Sequence, residues 1–231
     1  MSRILFVLTG ADHWTLADGT RHPTGYWAEE FVVPFEILKS AGHEIVVATP
    51  GGVVPVVDAG SLAPDANGGA ETAAHRAEVI RSSAELRAPL DLADVRLDEV
   101  DAVFYPGGHG PMEDLAVDAT SGALLTAALD SGKPLAVVCH APAALLAATR
   151  PDGSGSVAGY RLTGFTNAEE AQAGFADKAR WLLQDRLADL GADFVEGPPW
   201  EPNVVVDRTL ITGQNPASSA GVAEELARRL A

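Results

Sequence analysis

One cysteine, Cys139, is all the thiol this sequence contains. An internal disulfide is therefore impossible, and a reducing cytoplasm is the expected setting. Basic residues are scarce, with 16 Lys+Arg against 32 Asp+Glu and a formal charge of −16. Nucleic acid demands a basic stripe that displaces counterions, so the balance argues against a nucleic-acid partner. No apolar run approaches the ~20 residues that a membrane-spanning helix needs. The opening MSRILFVLTGADHW suits a first core strand, and its apolar part is too short for a signal peptide. Neither G-x-x-x-x-G-K-[ST] nor G-x-G-x-x-G occurs, which argues against a phosphate cradle. Histidine is absent beyond position 140. Papain-like proteases and class I glutamine amidotransferases take their base from a histidine far downstream of the nucleophile, so that order of residues excludes both.

What is present is an ordinary globular chain, 47% hydrophobic and long enough for one α/β domain with a large core. Apolar runs alternate with amphipathic stretches, the pattern of β-α units feeding a mostly parallel sheet. Residues 3–9, 43–49, 100–106 and 133–139 read as strands buried on both faces. Residues 204–212 read as two strand pieces around a turn at Asp207-Arg208. Helices are expected over 27–41, 119–131, 141–148, 177–190 and 217–230. In the last, Val222, Leu226 and Leu230 share one face and Asn215 or a neighbour supplies the cap. Pro34 should kink the first helix or mark its true start. Residues 58–99 have weak periodicity and read as an insertion or lid with one or two short helices. The Gly/Ser-rich stretch 151–159 is expected to be a mobile surface loop.

The stretch PLAVVCHAP (134–142) sets the functional question. A strand ends there and a helix begins, the edge of an open α/β sheet where ligand sites gather. A helix N-terminus favours a thiolate and can lower a cysteine pKa well below ~8.5. A strained turn of this kind exposes the nucleophile in the G-x-S-x-G elbow. A buried, inert cysteine accounts for the same residues equally well. If Cys139 is a nucleophile, His140 is its adjacent base, with His109 and His22 as outside candidates. An acid must then orient the base. Glu29-Glu30 and Glu169-Glu170 are the paired carboxylates available, although acids at helix starts often do no more than offset the dipole. FYPGGHGP (104–111) ends another strand in glycines whose N–H groups could form half of an oxyanion hole, or merely a tight turn. His109 and Glu113 could share a helix face and hold a metal, but two ligands make no site.

Five ordered blocks now match a known pattern: GYWAEEFVVP (25–34), AVFYPGGHG (102–110), AVVCHAPAAL (136–145), LTGFTNAEE (162–170) and LITGQNPASS (210–219). Together they resemble the ThiJ/PfpI superfamily, and within it the glutathione-independent glyoxalases of the glyoxalase III and heat-shock chaperone class. The resemblance implies a flavodoxin-like open sheet, mostly parallel, with helices on both faces and a nucleophile elbow at Cys139, in a single domain over residues 1–231. It also implies a catalytic set of Cys139, His140, Glu170 and Glu30, with Gly108 and the His140 amide as oxyanion donors and His109 beside the substrate. No cofactor and no metal are implied; the partners would be a small 2-oxoaldehyde and a second copy of the chain in a homodimer. Ala141 and Gln184 depart from the family pattern, which commonly has Gly and Glu there. The expected activity is conversion of methylglyoxal to lactate. A holdase chaperone and a cysteine redox sensor are the alternatives, with peptidase activity last.

Overall fold

A computed structural model describes the chain from Met1 to Ala231. In chain order it runs β1 (Arg3–Val7), the hairpin strands β2 (His13–Thr15) and β3 (Arg21–Pro23), helix α1 (Ala28–Ser40) and β4 (Glu44–Thr49). Helices α2 (Ala70–Ser82) and α3 (Ala84–Arg87) lead to β5 (Leu90–Asp91), β6 (Ala102–Tyr105), α4 (Ala119–Ser131) and β7 (Leu135–Val138). The last third holds β8 (Arg161–Leu162), α5 (Asn167–Gln172), α6 (Leu183–Asp189), β9 (Asp193–Phe194), β10 (Val204–Asp207), β11 (Leu210–Gly213) and α7 (Ser219–Arg229).

Seven strands form one sheet in the order β10-β11-β7-β6-β1-β4-β5, parallel except at the β10 edge. From β1 the chain moves outward to β4 and β5, then returns to β1's other side and continues through β6 and β7. The winding reverses between β1 and β6, which opens a crevice at the carboxyl ends of these strands. Helices α1 and α7 pack together on one face, and α4 lies on the other with the turn over residues 141–147. The three central strands are almost wholly apolar because helices cover both faces. Phe6 stacks on Phe104 at 4.7 Å and meets Phe31 of α1 edge-on at 5.9 Å, tying strand to helix. No helix is long and apolar enough to cross a membrane.

The flavodoxin-like fold and all the expected strands stand as read, including the two pieces on either side of the turn at Asp207-Arg208. Several element readings do not. Helix α1 runs through Pro34, which neither starts nor ends it. Residues 141–148 form a 3-10 helix over Ala141–Ala147 in place of an α-helix. Only Leu183–Asp189 of the expected helix 177–190 is helical. Its first part is held by the loop after β2: Ala17 N–H donates to the Lys178 carbonyl at 2.8 Å, and the Arg180 guanidinium donates to the Leu16 carbonyl at 3.3 Å. Asn215 gives α7 no side-chain cap; its amide instead donates to Glu169 and the Glu201 carbonyl. Stretch 58–99 contains two helices as expected, yet β5 is an edge strand of the main sheet and α2 packs on α1. The loop at 151–159 is pinned at its end, where Ser156 and Val157 are buried.

Candidate active site

Strand β7 stays in register up to Cys139, whose N–H still donates to the Gly213 carbonyl at 2.9 Å. There the chain turns with a φ of 61°, the left-handed region that costs an L residue about 1–2 kcal/mol. The Cys139 carbonyl then accepts from the Phe165 N–H at 2.8 Å, which locks the bend. Ala141 lies after the strained residue, inside the 3-10 turn, so its Cβ meets no conformational penalty. The turn is supported from β6. A Cβ on Gly107 would stand 2.8 Å from the His140 nitrogen and 2.7 Å from the Val138 carbonyl, so only glycine lets the two strand exits approach. Gly108 takes a φ of 89° and directs its N–H toward the sulfur. Neither the Gly108 nor the His140 amide donates to a backbone carbonyl.

The Cys139 sulfur lies 3.3 Å from His140 Nδ1, and His140 Nε2 lies 2.8 Å from Glu170 Oε2. His109 Nε2 reaches the other carboxylate oxygen, Oε1, at 2.9 Å. Burial opposes charge on Glu170, yet the two imidazoles outweigh it and hold the carboxyl well below its usual range. An ionised carboxylate only accepts, so both histidines carry their hydrogen on Nε2. His140 is left with its Nδ1 lone pair facing the sulfur, the tautomer a base requires. Burial, and the positive charge His109 would carry, push the His140 imidazole below its ordinary 6.5 despite Glu170. The local sequence explains the acid's aim. Thr166 and Glu169 form a reciprocal capping box that fixes the first turn of α5 and delivers Glu170, the next residue, toward the histidines. Gln184 completes this end by accepting the Asn167 N–H at 2.7 Å while donating to Glu196 at 3.0 Å.

Glu30, in the first turn of α1, is fully buried, and its Oε2 accepts the Gly107 N–H at 2.7 Å. Its Oε1 has no hydrogen-bond partner. Glu29 turns the other way and pairs with Arg76 at 3.0 Å. Burial pushes the Glu30 carboxyl up to about 8, partly offset by the neighbouring thiol and the Gly107 N–H. Burial likewise pushes the Cys139 thiol well up, as do the charge and hydrogen bond of Glu30, against the Gly108 N–H. The low-pKa thiolate expected of a helix N-terminus is therefore not what the fold builds by itself. The following turn is 3-10, seven residues long, and the thiol is only 3% exposed. Adjacent negative charges in a dry site disfavour each other, so ionised sulfur goes with protonated Glu30.

Gly108, His109, Cys139 and His140 line a cavity of about 550 Å³, with Glu30 and Glu170 behind them. Several residues around it carry no signal in the amino-acid pattern. Trp14 stacks under His109 at 4.6 Å and 14°, and Phe165 lies 4.2 Å from His140. Trp200 stands at the mouth with a φ of 65°. Glu169 was visible only as half of an acidic pair; its Oε1 accepts both the Trp200 N–H and the Asn215 amide at 2.8 Å. No periodicity marks such residues, because loops supply them. His22 lines the cavity wall, with burial pushing its imidazole down. Glu113 does not join His109; it accepts from Thr15 at 2.8 Å and faces His13. Ligand atoms of His109, His140 and Glu170 lie within 4.8 Å of one another, close enough for a cation. Binding one there would require Nε2 lone pairs, which the hydrogen bonds to Glu170 occupy with protons.

A doubly wound sheet that ends a central strand in a left-handed cysteine, beside a histidine and an acid, defines an open α/β protein with its candidate site at the carboxyl edge of the sheet. More narrowly, the chain belongs to the DJ-1/PfpI family, whose sequence profile matches residues 23–229. It is similar to Glyoxalase 3 of Candida albicans, with 28% identity over 232 residues, 98% of this chain and 97% of that protein. The crystal structure of glyoxalase III from Candida albicans covers 98% of this chain and 96% of its own, at a TM-score of 0.84 and 26% identity. A Bos taurus protein, glutamine amidotransferase-like class 1 domain-containing protein 1, is 32% identical over 204 residues, 87% of each chain.

Proposed function

We propose that the protein is a glutathione-independent glyoxalase of the glyoxalase III type, a lyase that converts a 2-oxoaldehyde to a 2-hydroxy acid through a nucleophilic Cys139. The observation that carries this reading is the unbroken line from the Cys139 sulfur through His140 to Glu170, opening on a cavity at the sheet's switch point. Full-length likeness to Glyoxalase 3 supports it.

In the first step Glu30 holds the proton and the Cys139 thiolate adds to the aldehyde carbon of methylglyoxal, forming a hemithioacetal. The amide N–H groups of Gly108 and His140 receive the oxyanion, in a site dry enough for such donors to count. His140, held in its tautomer by Glu170, takes the proton from C1 while the proton held by Glu30 passes to the oxygen on C2, and an enediolate forms. Return of the proton to C2 leaves a thioester, which water cleaves to lactate and free thiol. C1 loses the two electrons that C2 gains, so the overall change is the addition of one water and needs no external redox partner. His109 stands beside the substrate, its ring centroid 4.1 Å from that of His140. The same reading takes the chain as a single domain that works as a homodimer in a reducing cytoplasm. Within it, Asp58 to Gly60 form the part of stretch 58–99 that reaches the cavity.

The test is consumption of methylglyoxal without glutathione, with lactate identified as product. Wild type turns it over and Cys139→Ala does not. Equal rates in the two proteins would reject the thiol as nucleophile.

A further inference from the structure

The cavity is much larger than methylglyoxal requires. At roughly 30 Å³ per water-sized atom, its five heavy atoms fill about 150 Å³, against about 550 Å³ present. The reacting groups occupy only the floor. The walls above them are aromatic, built from Trp27, Phe165, Phe175 and Trp200. No lysine or arginine lines the cavity, while Asp12 and Asp58 do. An anionic substituent would meet repulsion and no counter-charge, whereas an uncharged apolar one finds a fitting wall.

Trp200 is the distinctive part of that wall. Its φ of 65° is a left-handed conformation that a bulky side chain rarely takes, and such outliers cluster at ligand clamps. The residue stays 46% exposed at the cavity mouth. Three contacts hold it there. Its backbone N–H donates to Glu169 Oε1 at 2.8 Å, its indole N–H donates to Gln172 Oε1 at 2.6 Å, and its ring meets Phe165 edge-on at 5.4 Å. Phe165 lies in turn on His140. A continuous apolar surface thus runs from the imidazole at the reacting centre out to the mouth.

On the glyoxalase reading above, we infer that this surface is a subsite for the substituent on C2. The preferred substrate is then a 2-oxoaldehyde bearing an uncharged aryl or branched alkyl group, with Trp200 as the specificity-determining residue. The reaction is unchanged: R–CO–CHO and water give R–CHOH–COOH, C1 is oxidised as C2 is reduced, and R takes no part beyond binding.

The experiment compares kcat/KM for phenylglyoxal and methylglyoxal, without glutathione, in wild type, Trp200→Gly and Trp200→Phe. Glycine adopts a φ near 65° freely, so the first variant removes the ring without straining the loop. Wild type is expected to favour phenylglyoxal by on the order of tenfold or more, the discrimination an apolar pocket can supply. Trp200→Gly brings that ratio close to one, chiefly through phenylglyoxal, and Trp200→Phe recovers most of it. A wild type that favours methylglyoxal, or a ratio that survives Trp200→Gly, overturns the subsite and leaves the glyoxalase reading in place. If wild type consumes neither aldehyde, that reading fails and the subsite falls with it.

Discussion

From Leu135 to Val138 every side chain is buried, and strand β7 is laddered to β6 on one edge and β11 on the other. One residue later Cys139 takes a φ of 61°, and around it lie a fully buried carboxyl with one unpartnered oxygen and two amides without carbonyl partners. The strand satisfies every local preference: β-branched or small apolar residues, complete hydrogen bonding and close packing. The elbow sets several of them aside within a few ångströms. Satisfied strands on both sides make this possible, because the ladder holds the backbone on either side of the strained residue. Stability and chemistry are therefore divided along the chain, and substitutions in the two regions should have opposite signatures.

Among substitutions that keep the thiol, the largest effect is expected at Glu170. Glu170→Gln keeps the shape but offers one acceptor oxygen to two imidazoles that both donate, so one histidine must turn or change tautomer. Loss of an oriented base lowers the rate by about 10²–10⁴-fold. Initial-rate kinetics on methylglyoxal should show this fall in kcat, with a thermal midpoint close to wild type. A fall in stability with kcat preserved would place Glu170 on the structural side of the division.

Glu30 gives the next effect, and its sign follows from its burial. The carboxyl titrates near its ordinary 4.5 when unfolded and near 8 when folded, so the folded chain binds more protons between those values. Stability therefore falls as pH rises from about 4.5 to about 8, by on the order of 5 kcal/mol in all, and levels off above. Glu30→Gln, which can still accept the Gly107 N–H, removes this slope. The variant should gain on wild type in urea midpoint with each step from pH 5 to pH 8. Parallel pH profiles for the two proteins would show that Glu30 is not the group that carries the buried proton. Its role in turnover predicts the reverse cost, a loss of rate where wild-type Glu30 is protonated.

The same division governs what could be read before the structure was known. The strands were legible because a doubly covered parallel sheet leaves continuous apolar runs, and Leu135–Val138 is such a run. The elbow was legible because Cys139-His140 ends that run, and histidine order alone removed two competing enzyme classes. Glu30 and Glu170 came from the family resemblance, since spacing by itself could not separate them from Glu29 and Glu169. The protonation of the thiol was illegible, because it depends on burial and on Glu30, which is 109 positions earlier in the chain. Trp14, Phe165 and Trp200 were illegible as well. They come from loops and short elements whose positions are fixed by contacts such as Glu169 with Trp200, not by any period. Helix 177–190 misled for a related reason: a helical pattern yielded to hydrogen bonds with the distant Leu16–Ala17 loop.

The smallest effect isolates backbone strain from chemistry. Cys139→Ala and Cys139→Gly both lack the thiol, so neither turns over substrate, and they differ by one Cβ. At a φ of 61° alanine is strained and glycine is not. The glycine variant should be the more stable by about 1 kcal/mol, although glycine also has more conformational freedom to lose on folding. At Ala136, three residues earlier and fully buried in β7, the order must invert. There Ala136→Gly costs about 0.5–1 kcal/mol from chain entropy, with the loss of a packed methyl in addition. Urea midpoints of the three variants, read against wild type, check both signs. An elbow at which alanine is the more stable would mean that Cys139 packs as an ordinary core residue, and that the strain lies elsewhere in the turn.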